Sequence, residues 1–340
     1  MMHYFRNIRI MAAAILLLMS IDSSAQDIHF SQFYQSPFSL NPGLTGDFDG
    51  ACRFVGNQRT QWKSVTVPYS TWGLAADAAH FSKKDIGIGL SFFNDKAGDS
   101  KLTTTMLNAF VSKKISIQND PAHTLSIGLG LGFTSMSIDY SDLTYDNQWT
   151  GLIYNPSLES GEAFSRDSRA YMNLHFGVVY SKKINDKARL KSGFSMFNLT
   201  SPKQSWFDQG FVRLNQRFNI HANLDYKIND LWAAEPMLLF MSQGKFKEFD
   251  LGGRAHYVLE SKPWMYRSIY GGIVARTKDA GYLLAGMRYD NWDVGISYDI
   301  NTSNLKPASN GRGGFEVGVV YIFPPKPKLG EIRKVCPDYI

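Results

Sequence analysis

Along residues 212–227 apolar and polar side chains alternate with a period of two. Val212, Leu214, Phe218, Ile220, Ala222, Leu224 and Tyr226 share one phase with Gln216, and Arg213, Asn215, Arg217, Asn219, His221, Asn223, Asp225 and Lys227 form the other. A β-strand sends successive side chains to opposite faces, so this segment reads as a strand with one apolar and one polar face. It is longer than most strands of soluble sandwiches and long enough to cross a bilayer at a tilt. Elsewhere the second phase is small. Leu125, Ile127, Leu129, Leu131 and Phe133 alternate with Ser126, Gly128, Gly130, Gly132 and Thr134, and Trp292, Val294, Ile296, Tyr298 and Ile300 with Asp293, Gly295, Ser297, Asp299 and Asn301. Glycines 128, 130 and 132 lack the strand-turn-helix setting of a dinucleotide site and read as small residues facing a crowded interior.

Such segments recur from about Gly50 onward, separated by turn chemistry. They predict strands over 50–64, 69–82, 85–95, 102–116, 123–137, 168–181, 188–199, 212–227, 231–242, 247–260, 264–276, 280–289, 292–302 and 312–323. That is about 14, an even number as single-chain outer-membrane barrels have. Pro236 removes a ladder donor from the ninth and suggests a bulge there. No later stretch approaches 18 uninterrupted apolar residues, so only a closed barrel satisfies its own backbone within lipid. Aromatic residues make up 14% of the chain, a content suited to the girdles of such a barrel. The expected fold is therefore an all-β, antiparallel transmembrane barrel integral to the outer membrane.

Tight joins at Lys83-Lys84, Asn119-Asp120-Pro121, Asn185-Asp186, Asn229-Asp230, Ser261-Lys262-Pro263 and Asp290-Asn291 alternate with connections that are mostly longer, above all 138–167, 200–211 and 302–311. Short periplasmic turns and long extracellular loops are the rule in outer-membrane barrels, which places both termini in the periplasm. Residues 1–25 read as a cleaved export signal. Arg6 and Arg9 precede the apolar run Ile10 to Ser20, and Ser23-Ser24-Ala25 supplies a small-residue cleavage site. The run is about half of the ~20 residues a transmembrane helix needs. Residues 26–49 form an aromatic leader broken by Pro37, Pro42 and Gly43, too aromatic for disorder and expected to pack against the barrel of 50–323. Residues 324–340, opening Pro324-Pro325-Lys326-Pro327-Lys328, read as a periplasmic tail.

The net charge of +6 falls to +5 once the signal, with two arginines and one aspartate, is removed. Its lysines are scattered rather than gathered into the basic patch nucleic acid requires. Cys52 and Cys336 are free to pair in an oxidising compartment, but the phase Cys52 shares with Phe54 favours two separate thiols. Histidines 29, 80, 123, 175, 221 and 256 show no metal-site spacing and read as polar interior or interface residues. Asp139, Asp142 and Asp146 lack the calcium-loop pattern. No catalytic constellation, cofactor or metal site emerges, and the chain is not expected to be an enzyme.

The leader and first strand carry a more specific pattern. His29-Phe30-Ser31-Gln32-Phe33-Tyr34, Ser39-Leu40-Asn41-Pro42-Gly43, Thr45-Gly46 and Asn57-Gln58-Arg59-Thr60-Gln61-Trp62 resemble the opening of the PorP/SprF family of type IX secretion membrane proteins of Bacteroidetes. Residues 193–202 (GFSMFNLTSP) and parts of 295–323 resemble its later strands. Gly43 stands where the family usually has Ala, and Phe33 where Gln-Tyr is common. The resemblance implies a role with a system that exports proteins bearing C-terminal sorting domains. The implied partners are such secreted proteins, often adhesins, and the machinery's periplasmic lipoprotein ring.

The longest loop holds Tyr140, Tyr145, Trp149, Tyr154 and Phe164, residue types enriched at interface cores. They are candidate partner-binding residues or, equally, a lid over the barrel mouth. Two function classes stand: secretion and attachment, carried by the aromatic leader and closing motif, or a porin-like diffusion channel, suggested by the polar face of 212–227.

Overall fold

A computed structural model describes residues 27–61, 67–81, 85–98, 100–140, 143–161, 166–206, 212–262, 265–277, 279–303 and 309–325. Fourteen antiparallel strands run β1 Cys52–Gln61, β2 Tyr69–Ala78, β3 Ile86–Ala97, β4 Leu102–Ile117, β5 Asp120–Ser137, β6 Ser168–Lys183 and β7 Ala188–Phe197, then β8 Arg217–Lys227, β9 Trp232–Gln243, β10 Phe246–Lys262, β11 Met265–Arg276, β12 Ala280–Tyr289, β13 Trp292–Asn301 and β14 Arg312–Phe323. Each pairs with its sequence neighbours, and β14 closes on β1 with Cys52 opposite Phe323 and Gln61 opposite Gly314. Closure leaves no edge strand, which is what a sheet in lipid requires.

The alternation lies as the sequence predicts, inverted relative to a soluble protein. On β8 Arg217, Asn219 and His221 are buried inside while Ile220 faces out. On β13 Ser297, Asp299 and Asn301 face in, and Ile296, Tyr298 and Ile300 face out. Exposed leucines, isoleucines and phenylalanines therefore cover the outer wall, the face that lipid solvates. An aromatic cluster rings one end, with Trp292 and Tyr321 at 4.4 Å and Trp232 and Tyr257 at 5.1 Å between ring centroids.

Two predicted details change. β8 begins at Arg217, five residues later than its alternation suggests, because the preceding segment pairs with loop backbone instead: Lys203 bridges Arg213, and the Leu214 N–H donates to the Pro202 carbonyl. Pro236 makes no bulge. It stays in register opposite Gly253, and its missing N–H coincides with a gap in the β8–β9 ladder between the pairs Asn223–Met237 and Tyr226–Ala234.

The six joins β2–β3, β4–β5, β6–β7, β8–β9, β10–β11 and β12–β13, all short, lie with β1's start and β14's finish at one mouth, here the turn end. The β4–β5 join there is a two-residue turn with Gln118 and Asn119 both at positive φ, the geometry that matches strand twist. The opposite mouth, the loop end, carries the long connections 138–167, 198–216 and 302–311, but also the short joins 98–101, 244–245 and 277–279.

Candidate functional site: a leader threaded through the lumen

The leader packs inside the barrel rather than against its outside. Prolines 37 and 42 open single helical turns, Pro37–Leu40 and Pro42–Leu44, which wind the backbone tightly enough to fit within the wall. Phe30, Phe33, Phe38, Leu40 and Leu44 are buried, and so are Ser31, Gln32, Gln35 and Asn41. An irregular segment in such a place leaves backbone groups that must find partners, and inward polar side chains of the wall supply them.

Arg217 donates to the carbonyls of Ile28 at 3.1 Å and Ser39 at 3.0 Å. The Glu316 carboxylate accepts the N–H groups of Ser31 at 2.8 Å and Gln32 at 3.0 Å. Asn219 and Ser195 both donate to the Leu40 carbonyl, at 2.9 and 2.7 Å. Asn41 donates to the carbonyls of Val178 and Phe194, borrowing acceptors from β6 and β7. Arg53 donates to the Leu44 carbonyl at 3.0 Å while held by Asp77 at 2.7 Å. Bonds to charged groups contribute about 1.5–3 kcal/mol each, and orphaning one buried member costs a similar amount or more. The leader is thus held all along its length.

Glycines of the wall admit this close approach. A Cβ on Gly128 would stand 2.3 Å from the Pro42 carbonyl, and one on Gly177 would stand 2.0 Å from Asn41 Oδ1. The small phase of the alternation is therefore the leader's seat.

Behind these contacts lies a charged lattice. Arg276 meets Glu248, Asp250 and Asp299 within 3.4 Å, Arg59 pairs with Asp299 at 3.0 Å, and Arg254 pairs with Glu235 at 2.8 Å beneath the ring of Tyr34. At the turn end Asp47 lies between Lys191 at 2.5 Å and Lys114 at 2.6 Å. Burial works to raise the Asp47 carboxyl, but the two lysines outweigh it and hold the group well below the usual carboxylate range.

The leader divides the interior unequally. Toward the loop end a cavity of about 40 Å³ lies beside Asp27, Phe38 and Arg217; toward the turn end a vestibule of about 420 Å³ lies between Tyr34, Leu44, Arg254 and Arg288. The first described residue is at the loop end: the Asp27 N–H donates to Gln243 Oε1 at 2.9 Å and Asn198 donates to its carboxylate at 2.6 Å. Phe323 finishes at the other mouth. Asp27 and Phe323 thus lie at opposite mouths, a placement that alternation and loop length do not address, because they carry no information about a segment that is not a strand.

In the long loop, Gln148 organises three of the candidate aromatics. Its side-chain oxygen accepts from the Tyr145 N–H at 3.1 Å and the Tyr154 hydroxyl at 3.0 Å, and Trp149 bridges Tyr154 across a small hairpin. Tyr140 stands at the loop's base, its hydroxyl on the Arg166 carbonyl at 3.0 Å, and Phe164 lies outside the described residues. The hairpin tip presents Leu152, 87% exposed, and Ile153, 66% exposed. Of the acidic residues in this loop, Asp139 faces Lys101 at 3.9 Å and Asp142 lies outside the described residues.

The family model described as type IX secretion system membrane protein PorP/SprF matches residues 22–321, leader and barrel together. The chain belongs to the PorP/SprF family. No curated protein matches it. Among solved structures it is similar to the Ralstonia pickettii toluene transporter TbuX (TM-score 0.47, 12% identity, covering 88% of this chain and 94% of that one). It is also similar to the Pseudomonas putida toluene transporter TodX (0.45, 10%, 87% and 94%) and to KdgM porin (0.40, 8%, 80% and 99%).

Within this PorP/SprF barrel the residues that carry the resemblance are largely those that seat the leader. Ser31, Gln32, Asn41, Pro42 and Arg59 all make or shape the contacts above. Sequence reasoning missed Arg217 and Glu316 as anchors; the available signal was Glu316, a carboxylate between Gly314 and Gly318 in its phase, whereas Arg217 stands in a phase already rich in charge. It also missed Leu152 and Ile153, because only aromatics were weighed in the loop. Cys52 lies at the turn-end rim in the outward phase with Phe54, and Cys336 is outside the described residues.

Proposed function

We propose that this barrel sits in the outer membrane with its loop end outward and supports the export or surface attachment of secreted proteins that carry C-terminal sorting domains. The observation that carries the reading is the filled lumen. A diffusion channel needs a continuous aqueous path, whereas here a wall-anchored leader occupies the interior, which suits a rigid platform. The loop 138–167 offers a binding element at the loop end, with Leu152, Ile153, Trp149 and Tyr154 exposed around an ordered turn. At the turn end, the vestibule and charged turns face the proposed periplasmic side, where the machinery's lipoprotein ring would be met. Signal cleavage after Ala25 belongs to the same reading.

Deleting Gln148 to Phe164 in a barrel that remains heat-modifiable tests it. Release of a sorting-domain protein from the cell surface into the medium supports attachment through the loop. Retention of that protein with increased uptake of small solutes would make the loop a lid and place attachment elsewhere.

A further inference from the structure

The leader connects the two mouths. Its amino end is pinned at the loop end, where Gln243 ends β9, Asn198 directly follows the last residue of β7 and Arg217 begins β8. Its carboxyl end is pinned at the turn end by the Gly46 N–H to Asp77 at 2.7 Å, by Asp47 between Lys114 and Lys191, and by the Ala51 N–H to the Phe323 carbonyl at 2.8 Å. The anchors on both sides are buried or half-buried, so the direction of threading is fixed by the wall itself. Only Gln26 separates Asp27 from the small-residue site Ser23-Ser24-Ala25.

We propose that the leader threads the barrel from the loop-end mouth, at Asp27, to the turn-end mouth, so that the chain enters the barrel on one side of the membrane and leaves it, after Phe323, on the other. Topology then dictates an order of events. A leader still attached to the apolar run Ile10 to Ser20 would have to carry that run to the loop end in order to seat Asp27, so removal of the signal precedes docking of the leader. Asp27 lies at the mouth that carries the long loops, and a partner bound at the loop end meets the leader there; this last clause rests on the orientation proposed above.

The test uses full-length protein in cells with both Cys52→Ser and Cys336→Ser, carrying in addition either Ile28→Cys or Lys328→Cys, reacted with a membrane-impermeant maleimide before and after permeabilisation. Heat-modifiable migration verifies folding of each variant. The expected result is that Ile28→Cys reacts as strongly on intact as on permeabilised cells, while Lys328→Cys reacts only after permeabilisation. Reaction of both variants under the same condition would overturn opposite-mouth threading. The reversed pattern would uphold threading and overturn the loop-end-outward orientation instead.

Discussion

Glu316 Oε2 accepts the backbone N–H of Ser31 at 2.8 Å, a contact between the leader and the strand that closes the barrel. The same carboxylate takes the Gln32 N–H, so one side chain satisfies two consecutive backbone donors that the irregular leader has no means to satisfy itself.

Glu316→Ala should therefore loosen the leader more than the barrel. Two buried donors lose their acceptor, at about 1–3 kcal/mol each, whereas the β13–β14 and β14–β1 ladders are untouched. Hydrogen exchange should rise by at least tenfold over Phe30 to Gln35, one factor of ten per ~1.4 kcal/mol, with β4 and β5 protected as before. Equal acceleration throughout would mean that the leader and wall open as one unit.

Gly128→Ala and Gly271→Ala should differ sharply. The first places a methyl 2.3 Å from the Pro42 backbone, while the second meets only the Leu284 carbonyl at 3.8 Å. The expected outcome is loss or displacement of the seated leader in Gly128→Ala, read as new protease cleavage near Pro42, and ordinary behaviour in Gly271→Ala. Equal tolerance would show that the seat yields more readily than its contacts imply.

The strands were legible because lipid outside and a polar interior inside force a two-residue period on every one of them, as with Ile220 and Asn219 on β8. The leader's broken, aromatic sequence also separated it from the strands. Its position was not legible. Asn219 and His221 facing inward look the same whether they line water or hold the Leu40 carbonyl and Asn41 side chain. The glycines at 128 and 177 signal a narrow interior without saying what fills it. The loop's order was hidden for a similar reason: Gln148 looks like solvated loop sequence until its bonds to Tyr145, Tyr154 and Leu158 are seen.

Asp47 gives the leader's turn-end anchor a pH dependence of defined sign. Its docked pKa is depressed by Lys191 and Lys114 against burial. The ion pairs therefore contribute their full stability above the undocked carboxylate's value of about 3.9. That contribution declines as the pH falls below it and is gone once the docked value is passed. Docking should be flat between about pH 5 and 7 in the native protein. Asp47→Asn should weaken it throughout that window, measured as exchange at Leu44 to Asp47, and the gap between the two should close in strong acid. A wild-type loss of docking centred near pH 6 with no change on Asp47→Asn would assign the anchor to other groups.

Leu152→Asp with Ile153→Asp tests the hairpin tip without touching the Gln148 turn. Both side chains are exposed, so barrel stability should be unchanged, while retention of a sorting-domain protein at the surface falls. Unchanged retention would remove the tip from the binding surface.

Conductance of the purified full-length protein in a planar bilayer distinguishes a platform, its lumen closed by the leader, from a pore. The wild-type protein should show no steady ion conductance, and a variant combining Glu316→Ala with Arg217→Ala, verified as folded by heat-modifiable migration, should open measurable channels. Stable open channels in the wild-type protein with its leader intact would mean that the seated leader does not close the lumen.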